Sequence, residues 1–225
     1  MKNKSYIGIS LVILVFGIWA VPKIMKSYED NGIVKGDRLN VVTSHKESNL
    51  VKIGPAPKFS LTDQNSKTIT NADYDGKVYV LEFFFSTCPT ICPKMNAHLK
   101  DIQQQFKGQK DFGIASITIN PVNDTAEVLK KHAEELGIDD ENWHFLTGDR
   151  DYIYKVANKG FNMYAAQNEK VNGGFEHSGL FALIDKNGTI RCRKDDYVNP
   201  ILYYDGLEKA GVKAITEDIK LLLQE

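Results

Sequence analysis

The sequence predicts an α/β domain in which a central mixed sheet lies between layers of helices. Three observations carry that expectation. The runs Val78–Phe85, Phe112–Ile119 and Leu180–Asp185 are apolar nearly throughout, as strands are when helices cover both faces of a sheet. Met95, Leu99, Ile102 and Phe106 recur at helical spacing between the first two runs. Lys186-Asn187-Gly188 is a hairpin signal, and pairing of Thr189–Arg191 back onto the third run adds an antiparallel edge to a parallel centre.

Taken in order, the chain opens on Met1-Lys2-Asn3-Lys4, then the uncharged run Tyr6–Val21, then Pro22, Lys23 and Lys26. The run has 16 residues, just under the ~20 of a membrane helix. Ile24, Met25 and snorkelling lysines extend it. A cleaved signal peptide is the competing reading, but cleavage needs small residues at two fixed places, and Ile18 and Pro22 spoil them around Ala20. We therefore expect residues 1–27 to be an uncleaved membrane anchor, with a slight charge bias toward an inside amino terminus. Residues 28–52 are mixed and polar and read as a tether, and residues 53–225 as the domain.

Within that domain, Gly54-Pro55-Ala56-Pro57 marks the start, and Lys58–Leu61 with Lys67–Ile69 read as a short hairpin. The strand Val78–Phe85 breaks at Ser86-Thr87 and leads into Cys88 and Cys92, after which the helical stripe begins and Gly108 ends it. Phe112–Ile119 is the second buried strand. Asp124 or Thr125 caps a helix over Ala126–Leu136, stopped by Gly137. Trp143–Leu146 is a short strand. A helix follows over Asp151–Asn158, closed by Gly160, and a polar loop over Gln167–Gly174. Arg193–Lys213 reads as irregular, and Ala214–Leu223 as a final amphipathic helix. A strand feeding a cysteine pair at a helix start, with further β-α units behind it, is the thioredoxin-like arrangement. The expected architecture is thus a thioredoxin-like three-layer α/β/α domain with a central mixed sheet, plus an N-terminal transmembrane helix.

Composition narrows the function. With 28 basic and 29 acidic side chains, the net charge of −1 offers no basic excess for phosphate backbones, so nucleic acid is not an expected partner. Three cysteines are too few for a disulfide scaffold and read as one working pair and a single thiol, Cys192.

The pair carries the chemistry. A thiol at a helix start meets unsatisfied N–H groups and the positive end of the helix dipole, which favour thiolate. Pro93 suits the first helical position, which puts Cys92 at the cap and Cys88 in the turn before it. Three residues separate the sulfurs, where two is the usual redox spacing. That turn still allows a Cys88–Cys92 redox pair, and it also leaves room for a metal with a third ligand. Of the five histidines, His45 lies in the tether, His98 flanks the core stripe and points away from the cap, His132 sits in a charged helix, and His144 alternates with Trp143 and Phe145. His177 lies in the loop before Leu180–Asp185, which faces the cysteine turn in a thioredoxin-like domain. From position alone it is as readily a loop histidine bonded to backbone as a ligand. Thiol oxidoreductases of that type place a cis-proline in this loop, whereas here no proline occurs between Pro121 and Pro200. Two thiolates and one imidazole form a soft set suited to copper, while zinc more often takes a fourth ligand.

Four segments together resemble the SCO (SenC-type) proteins, copper chaperones of cytochrome c oxidase assembly. They are Thr87–Pro93, Asn120–Thr125, Trp143–Gly148 and His177–Asp185, in a likeness running from about Pro55 onward. The resemblance implies that Cys88, Cys92 and His177 bind copper, as Cu(I), Cu(II) or both. It implies a single-pass protein of the bacterial inner (cytoplasmic) membrane with its domain on the outer, periplasmic side. The implied partner is the CuA-bearing subunit of cytochrome c oxidase, with other periplasmic copper carriers or thiol reductants beside it.

Two departures stand out. Thr90 occupies a place in the cysteine turn that is often acidic in the family, and Cys192–Tyr203 read as an insertion before Tyr204-Asp205-Gly206. Cys192 is not a family ligand and reads as a partly buried single thiol. The alternative to a metallochaperone is a thiol-disulfide oxidoreductase or redox sensor that uses Cys88 and Cys92 without delivering copper. A peroxidase is a distant third, because Pro89-Thr90 precedes Cys92 too closely.

Overall fold

The computed structural model describes Val21 and residues 49–225. The expected anchor apart from Val21, the tether as far as residue 48, and His45 lie outside the described residues. Among the described residues, no helix is long and apolar enough to cross a membrane.

Eleven strands, four α-helices and a short 3-10 helix over Asn71–Tyr74 are described. The strands are β1 (Val51–Pro55), β2 (Ser60–Asp63), β3 (Thr68–Thr70), β4 (Val78–Phe84), β5 (Phe112–Thr118), β6 (Trp143–Thr147), β7 (Ala165–Gln167), β8 (Phe175–His177), β9 (Leu180–Ile184), β10 (Thr189–Cys192) and β11 (Tyr204–Asp205). The helices are α1 (Cys92–Gln105), α2 (Ala126–Leu136), α3 (Arg150–Tyr154, continued by a wider turn over Lys155–Phe161) and α4 (Lys209–Leu223). The main sheet runs β1-β10-β9-β4-β5-β6-β2-β3, with β11 also beside β9. The pairs β4–β5 and β5–β6 are parallel and the rest antiparallel, so the sheet is mixed. Every residue of β4 and β5 is buried. Side chains alternate between faces along a strand, so both faces are covered. The stripe Met95, Leu99, Ile102 and Phe106 is buried under α1.

Register decides where chemistry can gather. Phe84 pairs with Thr118, so β4 and β5 end together. β9 runs against β4 and therefore starts at that same end, directly after His177. The cysteine turn, the Asn120–Thr125 loop and His177 thus share one edge of the sheet, although 85 residues separate Cys92 from His177.

Several boundaries differ from the sequence expectation, each for a local reason. The hairpin is shifted to β2 and β3, because buried Asp63 accepts from the amides of Asn65 and Lys67 (both 2.8 Å) and so fixes the turn. The sheet begins at Val51, inside the expected tether, as an edge strand paired with β10. Edge strands tolerate the proline that hid it. Asp149 caps α3 through the Tyr152 amide at 2.8 Å, and the helical path runs past Gly160 to a left-handed Asn162 (φ 52). Gly160 instead makes room for Pro57, whose Cβ would lie 2.9 Å from any Cβ at that position. The final helix starts at Lys209, five residues earlier than its apolar stripe indicates. A Cβ at Gly211 would lie 2.2 Å from the Asp205 carbonyl oxygen, so a close approach to β11 requires glycine. The inserted stretch folds into a small turn whose Asp195 accepts from the amides of Tyr197 and Asn199. Cys192 beside it is fully buried.

Candidate metal centre

The centre is built where β4 gives way to α1. Phe85 ends the apolar run, and its carbonyl accepts from the Cys88 amide at 3.2 Å, closing the turn. Cys92 is the first residue of α1, Pro93 follows it, and Ile91 before it offers no side-chain cap. The Cys88 sulfur takes that part instead, lying 3.5 Å from the Cys92 amide it accepts from. The sequence expectation of Cys92 as the cap is corrected accordingly: the upstream sulfur satisfies one of the helix's orphan donors. Thr90 Oγ1 lies 3.7 Å from the Cys88 sulfur, so the residue that replaces an acidic side chain still reaches it.

His177 arrives on β8, which pairs only with β7 in a separate two-stranded ribbon. Its Nδ1 lies 3.1 Å from the Ser178 carbonyl, which can only accept, so Nδ1 carries the proton. That leaves the Nε2 lone pair aimed at Cys92 Sγ, 3.1 Å away. Fixing one ring nitrogen in this way selects the other as a ligand. The ring of Phe85 meets the imidazole edge to face at 5.9 Å, and Phe175 packs on Phe85 at 5.3 Å. The ligand atoms of Cys88, Cys92 and His177 all lie within 4.8 Å of one another. Both cysteines are buried and His177 is half-buried. A cleft of about 230 Å³, lined by Phe85, Cys88, Thr90, Ile91, Phe175 and His177 among others, gives access.

The two sulfurs differ in charge state. Cys92, hydrogen-bonded to Cys88, holds the Cys88 thiol well below its ordinary range against the opposing effect of burial. Cys92 is pushed up, first by that same contact and then by burial. The pair therefore holds one proton, with Cys88 as thiolate. A thiolate, a second thiol that loses its proton on ligation, and a neutral imidazole form a soft donor set that fits copper.

The other described histidines do not join the site. His98 Nδ1 bonds the Gly206 carbonyl at 2.8 Å. His144 sits 3.5 Å from the Asp63 carboxylate. His132 is not simply solvated as its charged helix implied: it stacks on Phe84 at 5.7 Å and is half-buried.

One contributor escaped the sequence reading. Of Asp124 and Thr125, either of which the sequence offers as the cap of α2, it is Thr125 whose hydroxyl accepts from the Val128 amide at 3.3 Å. The Asp124 carboxylate turns inward to Ser86, at the mouth of the cysteine turn. The clue lay in two adjacent cap-type residues where one suffices.

A family model described as SCO1/SenC matches residues 51–210. An SCO1 protein homolog of Bacillus subtilis (strain 168) is 31% identical over 164 residues, covering 72% of this chain and 79% of that one. The solved structure of BsSco, described as a member of the Sco family of cytochrome c oxidase assembly proteins with a disulfide switch, aligns at 27% identity. Its TM-score is 0.64, over 78% of this chain and 96% of that one. Yeast Sco1 with copper bound aligns at 26% identity and a TM-score of 0.56, over 74% of this chain and 89% of that one. With its thioredoxin-like sheet, cysteine turn and facing histidine, the chain belongs to the SCO1/SenC family.

Proposed function

We propose that this protein is a membrane-anchored copper metallochaperone that supplies copper to the CuA site of cytochrome c oxidase during assembly. The observation that carries it is the convergence of Cys88, Cys92 and His177, from two distant segments, within 4.8 Å. Copper would be held by the two sulfurs and His177 Nε2, and it is cargo as much as resident metal. The chain's own part is to keep Cys88 ionised, to hold the imidazole aimed, and to shelter both sulfurs from water. In this reading residues 1–27 anchor the protein in the inner membrane, the tether runs from residue 28 to the start of β1 at Val51, and the domain behind it works on the outer side. The described relatives of cytochrome oxidase assembly support the partner.

A copper titration of the full chain is expected to saturate at about one copper per chain, with a thiolate-to-copper absorption band for Cu(II). Cys88→Ser, Cys92→Ser and His177→Ala should each weaken binding by more than roughly 100-fold, the upper end of what losing even an outer partner costs. Wild-type protein that loses its copper to a moderate chelator would end this reading.

The same sulfurs support a second activity, because a thiolate beside a thiol is the reactive form of a dithiol. Cys88 and Cys92 would reduce a disulfide of the partner subunit and become a disulfide themselves, the two electrons and the pair's one proton passing to the partner, which is left as one thiol and one thiolate. A Cys88–Cys92 disulfide that cannot exchange with a peptide from that subunit rules this activity out.

Gly173 offers a gentler probe. It sits at φ +92 in the turn of the β7–β8 ribbon, where a Cβ would come within 2.9 Å of Pro89 Cδ and 3.2 Å of the Phe85 ring. Gly173→Val should push the ribbon off the cysteine turn and weaken copper binding several-fold. Unchanged chelator competition would show that the ribbon adjusts freely.

A further inference from the structure

Asp124 is fully buried, and its carboxylate is saturated by neutral donors. One oxygen accepts from Ser86 Oγ (2.5 Å) and Asn123 Nδ2 (2.8 Å). The other accepts from the Ser86 amide (2.9 Å) and Thr118 Oγ1 (2.5 Å). Thr118 is the last residue of β5, and Ser86 stands two residues before Cys88. The carboxylate therefore spans the gap between two strand ends and grips the cysteine turn through both backbone and side chain of one residue. A helix cap needs none of this, since Thr125 already caps α2. Burying a carboxylate is costly unless hydrogen bonds replace its water, and two of the four donors used here belong to Ser86.

We infer that Asp124 is a positioning residue for the metal centre. It locks Phe85 to Cys88 so that the sulfurs and the imidazole already converge before copper arrives. The link to His177 runs through Phe85, next to Ser86, which packs against that imidazole. Preorganisation of this kind lowers the ordering cost of binding without adding a ligand. The inference rests on the copper reading above and extends it to a residue that touches no ligand atom.

Three variants of the full chain separate positioning from mere support of the fold. Asp124→Asn places an amide N–H against donors, and Ser86→Ala removes one grip on the turn. Asp149→Ala removes the α3 cap, which touches neither the carboxylate nor the cysteine turn. Asp124→Asn should weaken copper binding roughly 10- to 100-fold, as outer partners of metal ligands do, and should shift the Cu(II)–thiolate band. Ser86→Ala should do the same to a smaller degree. Asp149→Ala should lower the urea midpoint while leaving affinity and band as in the wild type. If Asp124→Asn fails to fold, the Ser86→Ala and Asp149→Ala pair decides the matter. The inference is overturned if Ser86→Ala keeps wild-type affinity and spectrum, or if Asp149→Ala moves both as far as Ser86→Ala does. Wild-type protein that holds no copper would sink the copper reading instead. Positioning would then be judged on the metal-free dithiol, oxidised by glutathione disulfide to the Cys88–Cys92 disulfide with two glutathiones released. A shift of that equilibrium in Asp124→Asn and Ser86→Ala, but not in Asp149→Ala, supports it, and equal values in all three overturn it.

Discussion

Urea unfolding measured from pH 5 to pH 8 is expected to show the Glu82→Gln variant gaining stability relative to the wild type as pH rises. Glu82 sits in the middle of β4, fully buried among apolar neighbours. Ser116 Oγ donates to its Oε1 at 2.8 Å, and Trp143 Nε1 donates in turn to Ser116 Oγ at 3.1 Å. Oε2 has no hydrogen-bond partner among the described residues. Burial pushes the carboxyl from 4.5 up to about 8, against the downward pull of Ser116. The folded chain therefore keeps a proton that the unfolded chain releases near pH 4.5. Where the native state binds more protons, stability declines as pH rises. This contribution should be lost from roughly pH 4.5 to pH 8 and total on the order of 5 kcal/mol, at 1.36 kcal/mol per unit. Glutamine keeps the shape and acceptor and cannot ionise. An equal pH slope in wild type and variant would show that Glu82 is not its source.

Arg191→Ala should be the most damaging single change outside the metal centre, at about 3–5 kcal/mol for the loss of one partner of a buried ion cluster. Arg191 is 1% exposed. Its Nη1 lies 2.8 Å from both Asp185 and Glu225, and Nη2 donates to the Leu50 carbonyl at 3.3 Å. One guanidinium thus joins the hairpin turn, the far end of α4 and the residue before β1. Removing it strands the buried Asp185 carboxylate, whose bonds to the amides of Asn187 and Thr189 (3.0 and 2.9 Å) remain but whose charge is no longer balanced. Arg191→Met keeps much of the volume and should fail nearly as badly. A urea midpoint within experimental error of wild type for either variant would contradict this account.

The central strands were legible because each is a continuous apolar run, and burial on both faces produces that pattern directly. The segments Thr87–Pro93 and His177–Asp185 were equally plain, since cysteine spacing and a histidine beside a core strand are local features. What sequence hid is what tertiary contact creates. Gly160 reads as a helix stop, yet it is the residue that lets Pro57 approach closely. The β7–β8 ribbon reads as a polar loop, because three-residue strands carry no period. Asp124 reads as a cap until β5 and the cysteine turn close around it. His132 reads as solvated because its neighbours in sequence are charged, while its neighbours in space are Phe84 and Phe145.

The separate β7–β8 ribbon has a consequence for timing. Its two short strands pair with each other and not with the main sheet, so it can open at a small fraction of the cost of global unfolding. The cysteines, by contrast, are rooted in β4 and α1, among the most buried parts of the chain. Two donors are therefore slow and one is fast. A metal held this way would lose its nitrogen donor first, and changes in the ribbon would alter residence time far more than they alter the melting temperature.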